Sequence, residues 1–257
     1  MTKNLVTAQQ FHALKYPKTE RNSAVAISDT MPSDTGAALY SYVWQAAVER
    51  RAAPISVYRQ FGKRVLDILL VLMALPFALP IIAICAVLLW REGGTPFYTQ
   101  TRLGRDGKRF SILKLRTMVT DADVKLEEHL SQDPAARDEW NRLQKLKDDP
   151  RITPIGKFLR STSIDELPQI YNVLTGEMSL VGPRPMMPEQ LTMYGPAEAY
   201  FAVQPGITGL WQVSARNTST FDYRNDVDGA YERNLTIGMD ATILLKTVGV
   251  VLRRTGH

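Results

Sequence analysis

A stretch of 23 residues without a charge, Ile68 to Trp90, constrains the fold of this chain more than any other feature. A helix of that length, at about 1.5 Å per residue, would cross the roughly 30 Å hydrocarbon core of a bilayer. Pro76 and Pro80 lie in the middle of it, in "ALPFALPII". Each proline removes a backbone donor and bends a helix, which lipid penalises unless the chain turns there. The segment therefore predicts a membrane helix that is broken at Pro80.

Basic residues flank this apolar segment on both sides. They are Arg50, Arg51, Arg59, Lys63 and Arg64 before it, and Arg91, Arg102, Arg105, Lys108, Arg109, Lys114 and Arg116 after it. Positive charge stays on the cytoplasmic side of a membrane, so basic flanks at both ends favour a re-entrant hairpin that enters one leaflet and returns. A kinked spanning helix and a buried core helix remain alternatives. Asp67 is expected to pair with Lys63 or Arg64 at the interface.

Composition narrows the classes of partner and site. The chain has 257 residues and a formal net charge of +5, which favours an anionic partner such as nucleic acid, a lipid surface or a phosphorylated substrate. Cys85 is the only cysteine, so an internal disulfide is excluded. The three histidines, His12, His129 and His257, are too scattered for a zinc motif. A metal would therefore need oxygen ligands.

The hydrophobic pattern predicts a mainly α fold with a few short β-strands (α+β), organised in four segments. Residues 1–55 are expected to form a poorly ordered arm, with one short helix at 37–48 and no cleavable signal peptide. Residues 56–92 hold the basic flank and the membrane hairpin, and 93–238 form a small cytosolic domain. Residues 239–257 form an amphipathic helix that either lies on a membrane surface or packs on the core.

Local patterns place further elements in the cytosolic domain. Two strands, at 97–100 and 110–115, are predicted around the turn "GRDGK". Polar helices are predicted at 121–130 and at 134–147, and Asp133 is expected to cap the second of them. These helices are interpreted as solvated covering.

The stretch "STSIDELPQIYN", residues 161–172, places two carboxylates where a helix is expected to begin. Ser163 and Glu166 fit a Ser-x-x-Glu capping box, but Pro168 would then break an intrahelical hydrogen bond. If Asp165 is the cap instead, Pro168 falls in the first turn, where its missing donor has no effect, and this register is preferred. In either register both carboxylates lie at the positive end of a helix, which also attracts phosphate oxygens.

The acid pair is open to two interpretations, capping or chemistry. Adjacent helical positions point about 100° apart, so the two side chains can address different partners on one ligand. One carboxylate could attack phosphorus while the other holds Mg²⁺, which is usually bound by one or two carboxylates together with substrate phosphates. Arg184, in the proline-rich stretch "GPRP", is expected to lie on an ordered loop and to complete a phosphate clamp, with a plain surface arginine as the alternative.

Seven stretches, in this order, resemble one family. They are "KRVLDILLVL", the proline-broken apolar segment, "YTQTRLG", "ILKLRTM", "DDPRITPIGKFLRSTSIDELPQIYNVLTGEMSLVGPRP", "PGITGLWQVSARN" and "DVDGAYERN". From about residue 60 to 254 the chain resembles the bacterial sugar transferases, monotopic phosphoglycosyl transferases that start polysaccharide assembly on a polyprenyl phosphate. It is most similar to compact members that initiate exopolysaccharides with galactose or glucose phosphate. Leu79 stands before Pro80 where the family often has a serine, which removes a side chain able to bond a freed carbonyl at the bend.

The resemblance assigns roles to individual residues. It implies that Asp165 is the nucleophile that takes a sugar phosphate from a UDP-sugar and releases UMP, and that Glu166 binds Mg²⁺. The phosphosugar then passes to undecaprenyl phosphate. Asp228 is expected to help position the acceptor phosphate or its metal, whereas the residues alone would make it a helix cap. Basic positions that match the family's phosphate-binding motifs are Arg184, Lys114, Arg116 and Arg216.

The resemblance also implies a location and partners. The protein is expected at the cytosolic face of the inner membrane, where UDP-galactose or UDP-glucose from solution meets membrane-bound undecaprenyl phosphate. No nucleic-acid partner is expected. The protein is expected to form a homodimer. Two rivals stay open from the residues alone: a membrane-anchored basic binding or scaffolding protein, and a transferase that acts without a covalent intermediate.

Overall fold

The computed structural model describes residues 56–143, 146–214 and 221–252, and this part of the chain is mainly helical with four short strands. The predicted α+β class is thus confirmed. The predicted N-terminal arm at 1–55, with its short helix, lies outside the described residues.

The elements follow one another in the described ranges as follows. The helices are α1 (Lys63–Arg91), α2 (Ala122–Gln132), α3 (Pro134–Leu143), α4 (Pro154–Thr162), α5 (Ile170–Thr175), α6 (Leu191–Tyr194), α7 (Glu198–Phe201), α8 (Leu210–Ser214), α9 (Phe221–Arg233) and α10 (Ile237–Leu252). The strands are β1 (Phe97–Leu103), β2 (Arg109–Leu115), β3 (Ser179–Val181) and β4 (Gly206–Thr208). Tight 3₁₀ turns cover Arg105–Gly107, Ile164–Gln169 and Pro188–Gln190, and a π-helical turn, Tyr58–Gly62, leads into α1.

Helix α1 packs one face against the rest of the molecule. Its buried residues are spaced by four or seven, as in a helix that covers a core with one stripe, and they are Lys63, Asp67, Val71, Ala78, Cys85 and Leu89. Val71 and Ala78 join a core cluster with residues of β2 and α5. Leu89 packs near the other end of the helix with Leu115 and Leu159. Helix α1 therefore contacts the domain at its start, middle and end.

The structure does not confirm the re-entrant hairpin, because α1 is continuous and both Pro76 and Pro80 lie inside it. The buried-core-helix alternative is wrong, since Met73 is 64% exposed and Phe77 is 75% exposed. Within the described ranges, Tyr58–Arg91 is the one helical stretch long and apolar enough to cross a membrane, and an 18-residue window of it has a mean hydropathy of 2.8. Apolar surface of this extent marks a contact with a membrane or another protein.

The predicted hairpin after α1 is confirmed. Strands β1 and β2 pair antiparallel, with Phe97 opposite Leu115 and Leu103 opposite Arg109. The inner side of β2 carries apolar residues at alternate positions, as the period of a strand requires. It packs against α1 through the core cluster described above. The hairpin thus fixes the position of Lys114, which belongs to β2.

The second sheet fixes the start of the loop that carries Arg184. Strands β3 and β4 pair in parallel, and beyond their ends the N–H of Gly182 donates to the carbonyl of Thr208 at 2.8 Å. The N–H of Gly206 donates to the carbonyl of Pro183 at 2.8 Å. A Cβ on Gly206 would lie 2.1 Å from the backbone nitrogen of Gly182, so only glycine permits this close approach.

The two polar helices predicted from local pattern, at 121–130 and 134–147, are present as α2 and α3. Asp133 caps α3 as predicted, because its Oδ1 accepts from the N–H groups of Ala135 at 2.9 Å and Ala136 at 3.2 Å. Helix α3 ends at Leu143 rather than near 147, and 144–145 lie outside the described residues.

The C-terminal amphipathic helix predicted at 239–257 is present as α10 (Ile237–Leu252), and 253–257 lie outside the described residues. Asp240 and Ile243 are each only 1% exposed, so one side of the helix packs on the core. Leu245 and Val248 are 75% and 57% exposed on the remaining surface. The helix therefore packs on the core and also leaves apolar side chains uncovered.

A buried carboxylate joins the start of α1 to the C-terminal helices. Asp240 accepts hydrogen bonds from Tyr58 Oη at 2.6 Å, Lys63 Nζ at 2.6 Å and Tyr231 Oη at 2.8 Å. The ammonium of Lys63 also lies over the ring of Tyr231, 5.9 Å from its centroid. A buried ion pair is tolerated when hydrogen bonds satisfy its remaining polar atoms, and this cluster meets that condition.

The predicted pairing of Asp67 is wrong. Lys63 forms its ion pair with Asp240, and Arg64 donates to the carbonyls of Val173 and Leu174 at the end of α5. Asp67 instead accepts a hydrogen bond at 3.0 Å from the N–H of Leu180 in β3. All three side chains at the start of α1 therefore hold the domain.

We expect Asp240→Asn to destabilise the protein by about 3–5 kcal/mol, because it leaves the ammonium of Lys63 buried without its counter-charge. The measurement is denaturant unfolding in detergent micelles. Glu232→Gln is the matched control, since Glu232 pairs with Arg59 where both side chains are partly exposed, and there we expect less than about 1 kcal/mol. Equal stability of the two variants would contradict the prediction.

Candidate active site

The acid pair lies on a 3₁₀ turn between two helices. Helix α4 ends at Thr162, and Ser163 follows as its C-cap with φ 57° and ψ 17°. Ile164–Gln169 then form the 3₁₀ turn before α5. Both predicted capping registers are wrong. An N-cap residue has extended backbone angles and a side chain that accepts from the next turn, whereas Ser163 is left-handed and caps nothing with its hydroxyl. Asp165 lies inside the turn, as does Pro168.

Asp165 is a buried carboxylate in a positive environment. The residue is 7% exposed, and no described residue donates a hydrogen bond to its side chain. Burial, with help from the neighbouring charge of Glu166, raises the pKa of Asp165 to about 6, and the cations Lys114, Arg160 and Arg184 oppose that rise. A carboxylate without donors keeps its lone pairs available for another atom.

Glu166 ties two separate elements to the acid pair. Its Oε1 accepts from Lys114 Nζ at 2.7 Å and from Arg184 Nη2 at 3.3 Å. Lys114 comes from β2 and Arg184 from the proline-rich loop after β3, so the structure brings these two predicted residues to the site. Burial lowers the pKa of Lys114, although Glu166 opposes the change.

Two other predicted basic residues are not placed at the pair. The Nη2 of Arg116 donates to the carbonyls of Leu89 and Gly93 at the end of α1, and it forms no ion pair with either described carboxylate of the site. Arg116 therefore closes a helix end, where a cation is favoured. Arg216 lies outside the described residues.

Asp228 is placed in α9, away from any open surface. It is 1% exposed, accepts from Tyr194 Oη at 2.7 Å and lies 3.6 Å from Nε of Arg224. Burial raises the pKa of Asp228 to about 6, against the effects of Arg224 and of the hydrogen bond from Tyr194. The side chain does not contact the acid pair. It contacts a guanidinium that reaches the backbone of Arg184.

Arg160 was not among the predicted site residues. Its Nε donates to Thr117 Oγ1 at 2.9 Å, and burial lowers the pKa of its guanidinium while the charge of Asp165 opposes this. Arg160 stands in the last turn of α4, five residues before Asp165. A basic residue that close to an acid pair in sequence was the signal that could have identified it.

The residues present fit Mg²⁺ only as an ion that arrives with phosphate. The described part of the chain has no cluster of three or more His, Cys, Asp or Glu side chains able to hold a metal alone. Asp165 and Glu166 provide two adjacent carboxylates, and Mg²⁺ is commonly held by one or two carboxylates plus substrate oxygens. Lys114, Arg160 and Arg184 outnumber the carboxylates, so the site as a whole favours an anionic ligand.

The arrangement is equipped for attack on an electrophilic phosphorus. Phosphate esters resist anionic nucleophiles because their own oxygens repel them, and cations fixed beside the nucleophile reduce that repulsion. The carboxylate of Asp165 has the chemistry of a nucleophile, and Lys114 and Arg184 supply fixed positive charge close to it. The site therefore suits group transfer between phosphates.

Comparison with known proteins gives close relatives. The chain is 48% identical over 198 residues to a UDP-galactose-lipid carrier transferase of Erwinia amylovora, and the match covers 77% of this chain and 42% of that relative. It is 47% identical over 198 residues to an undecaprenyl-phosphate galactose phosphotransferase of Salmonella typhimurium, with the same coverage of 77% and 42%. The chain thus spans less than half the length of these two relatives.

A compact relative matches over most of its length. The exopolysaccharide production protein ExoY of Sinorhizobium fredii is 40% identical over 197 residues, which cover 76% of this chain and 87% of that protein. A family model described as bacterial sugar transferase matches residues 58–254, a stretch that contains every described element from the π-helical turn to α10. The chain therefore belongs to the bacterial sugar transferase family.

Proposed function

We propose that this protein is a phosphoglycosyl transferase that moves a sugar 1-phosphate from UDP-galactose or UDP-glucose to undecaprenyl phosphate, releasing UMP, in the first membrane step of exopolysaccharide synthesis. The observation that carries the proposal is the state of Asp165: buried, without a hydrogen-bond donor among the described residues, and faced by Lys114, Arg160 and Arg184. A carboxylate that served only as a helix cap would accept backbone N–H groups. The names of the relatives support the substrates.

The transfer proceeds in two displacements at one phosphorus. In the first, an oxygen of Asp165 bonds to the sugar-bearing phosphorus, and the bond from that phosphorus to the bridging oxygen breaks, so that UMP leaves with the electron pair. In the second, a phosphate oxygen of undecaprenyl phosphate bonds to the same phosphorus and the bond to Asp165 breaks. The carboxylate is regenerated, and the product is a sugar linked to the lipid by a diphosphate.

The cations of the site act on both displacements. Lys114 and Arg184 hold Glu166 and stand beside the phosphates of donor and acceptor, where their charge offsets the repulsion between phosphate and carboxylate. Glu166, together with phosphate oxygens, would hold Mg²⁺, which would supply further charge screening. Arg160 stabilises the ionised form of Asp165.

We further propose that the protein is monotopic, on the cytosolic face of the inner membrane, with α1 as a re-entrant or interfacial helix. A straight helix of 29 residues is about 43 Å long, so a spanning orientation would place its ends on opposite sides of the bilayer. Lys63 at its start and Leu89 near its end both contact the same domain. This arrangement supports the placement of both ends of α1 on the same side of the bilayer. The apolar side chains of α1 and α10 that face outward support contact with lipid. The homodimer stays a prediction.

We expect Asp165→Asn to lower UMP release from a UDP-sugar by more than about 10³-fold, because an amide is no nucleophile towards phosphorus. Purified protein in detergent is assayed with undecaprenyl phosphate and a panel of UDP-sugars, which also identifies the sugar. Mass spectrometry of the wild-type protein with donor alone is expected to show a phosphosugar on the peptide that contains Asp165. Release is expected to stop with a chelator and to return with Mg²⁺.

Asp106→Asn is the control for that experiment. Asp106 is exposed on the turn between β1 and β2, with φ 59°, a conformation that asparagine also accepts. Its activity is expected to equal that of the wild type. UMP release that survives Asp165→Asn would contradict the role of Asp165 as the nucleophile. No UMP release from the wild type with any UDP-sugar would contradict the enzyme proposal and favour a binding or scaffolding role. Turnover without a trapped phosphosugar would favour direct transfer.

The rate is expected to rise with pH through about 6, because the nucleophile must be ionised and its pKa is raised to about 6. A carboxyl whose folded pKa exceeds its unfolded value of 3.8 binds its proton more tightly in the folded state. Its contribution therefore favours folding below about pH 4 and turns unfavourable as pH rises through 6. Asp165→Asn should consequently stabilise the protein at pH 8 by about 2–3 kcal/mol, and by little at pH 4.

Thermal unfolding in detergent at the two pH values measures this difference, with Asp106→Asn again as the control. A variant that loses stability at pH 8 would show that the ionised carboxylate strengthens the fold. Such a result would contradict the assignment of Asp165 as a group held in place at the expense of stability for chemistry.

For the topology, single cysteines at Gln60 and Thr95, which are both exposed, are introduced into a Cys85→Ala background. We expect an impermeant maleimide to label both positions from the cytosolic side of inverted membrane vesicles and neither in intact spheroplasts. Labelling from opposite sides would show that α1 spans the bilayer.

A further inference from the structure

The loop that carries Arg184 is short of backbone donors. Pro183 and Pro185 flank the arginine and have no N–H, so the loop cannot be held by a regular hydrogen-bond ladder. Its carbonyl oxygens nevertheless need partners where they are buried. In this structure side-chain guanidinium groups supply them.

Two arginines from different elements bind consecutive carbonyls of the loop. Nη2 of Arg224, in α9, donates to the carbonyl of Arg184. Nη1 of Arg102, in β1, donates to the carbonyl of Pro185 at 3.1 Å. The elements that supply these donors are separated by more than a hundred residues of chain. The backbone on either side of the bond between Arg184 and Pro185 is therefore fixed from two directions.

Arg224 is itself held by surroundings that suit a planar guanidinium. The residue is 5% exposed, and its guanidinium lies 5.5 Å from the ring centroid of Tyr194 and 5.4 Å from that of Trp211. Asp228 provides the counter-charge at 3.6 Å from Nε, and Tyr194 donates to the same carboxylate oxygen. A planar guanidinium that lies against two aromatic rings while its forked donors bind other groups has a geometry that the ammonium of lysine does not reproduce.

A third set of contacts closes the loop after the arginine. The N–H of Met186 donates to Tyr200 Oη at 2.9 Å, and Tyr200 donates to the carbonyl of Leu103 at 2.6 Å. Leu103 in turn donates its N–H to the carbonyl of Met186 at 2.9 Å. Arg102 and Leu103 are neighbours at the end of β1, so this strand holds both Pro185 and Met186.

We propose that Arg102 and Arg224 are positioning residues that clamp the backbone of the Arg184 loop, and that Asp228 acts on the reaction through Arg224 rather than by contact with the acceptor phosphate. The clamp places the guanidinium of Arg184 at 3.3 Å from Glu166, beside the nucleophile. A displacement of about 1 Å in such a group can reduce a rate by 10²-fold. The kinetic consequence rests on the proposed transferase function, but the effect on the loop does not.

The first test is a double-mutant cycle on kcat/KM for UMP release. Arg224→Lys keeps the positive charge but loses the planar guanidinium with its forked donors, which fits against the rings of Tyr194 and Trp211. We expect it to lower kcat/KM by about 10- to 100-fold. In an Arg184→Ala background the same change is expected to have almost no further effect, because the guanidinium that the clamp positions is absent. Arg102→Lys should repeat the pattern from the other side of the loop. Losses that multiply in either cycle would overturn the proposal.

The second test does not depend on activity. Hydrogen exchange of the peptide that covers residues 182–187 is expected to become faster in Arg224→Lys and in Arg102→Lys, while peptides of α1 and β2 keep their wild-type protection. Arg137→Lys is the matched control, since the side chain of Arg137 is 38% exposed and pairs at the surface with Glu127. Unchanged exchange of the loop in both clamp variants would overturn the proposal.

The two tests separate the proposals from each other. If the wild-type protein releases no UMP from any UDP-sugar, the transferase function fails, and the exchange measurement still decides whether the clamp exists. If the wild type is active and the loop exchanges at its normal rate in the variants, the clamp fails and the transferase function stands. Folding of each variant is checked by thermal unfolding, and Arg102→Lys serves if Arg224→Lys does not fold.

Discussion

The interaction on which the site depends is the ion pair between Lys114 and Glu166, which Arg184 joins from the other side. Two adjacent carboxylates repel each other, and burial makes the repulsion stronger. They can remain together in a folded protein only if cations converge on them from separate elements. β2, α4 and the proline-rich loop each contribute one. The need to bring those cations together explains why the chain builds a hairpin, a 3₁₀ turn and a donor-poor loop around one point.

Two other buried carboxylates in the described interior are also stabilised by a cation from another part of the chain or the adjacent helical turn. Asp228 is paired with Arg224 and Tyr194, and Asp240 with Lys63, Tyr58 and Tyr231. Each buried carboxylate has one cation and at least one tyrosine hydroxyl, which together satisfy more of its oxygens than an ion pair alone would. Asp228 contacts the arginine that binds the carbonyl of Arg184, and Asp240 binds residues at the start of the apolar helix. Asp165 differs from both because no described residue donates to it, and for that reason we propose Asp165 as the reactive carboxylate.

Predictions from the sequence succeeded where the cause was local. The β1–β2 hairpin follows from a turn signal, and the cap at Asp133 follows from an acid before a proline. The register of the acid pair failed because the left-handed Ser163 ends α4 and redirects the chain, a conformation that serine rarely adopts and that no pattern announced. The roles of Arg102 and Arg224 were not predicted because their carbonyl partners lie far away in sequence. The family motifs predicted Asp165, Glu166, Lys114 and Arg184 as site residues, and the structure brings these four together. The same motifs could not show that Arg116 holds a helix end.

The apolar helix and the acid pair are parts of one structure. Ile164, the residue before Asp165, packs on the cluster that Cys85 and Leu89 of α1 form with residues of β2 and α4. One face of α1 thus supports the turn that carries Asp165, while its outward apolar side chains suit lipid. In the proposed transfer, a water-soluble donor approaches from the polar side of the domain and a lipid-bound phosphate approaches along the membrane. The carboxylate that passes the group between them must lie where both can reach it, and the contact through Ile164 places Asp165 beside the apolar helix α1.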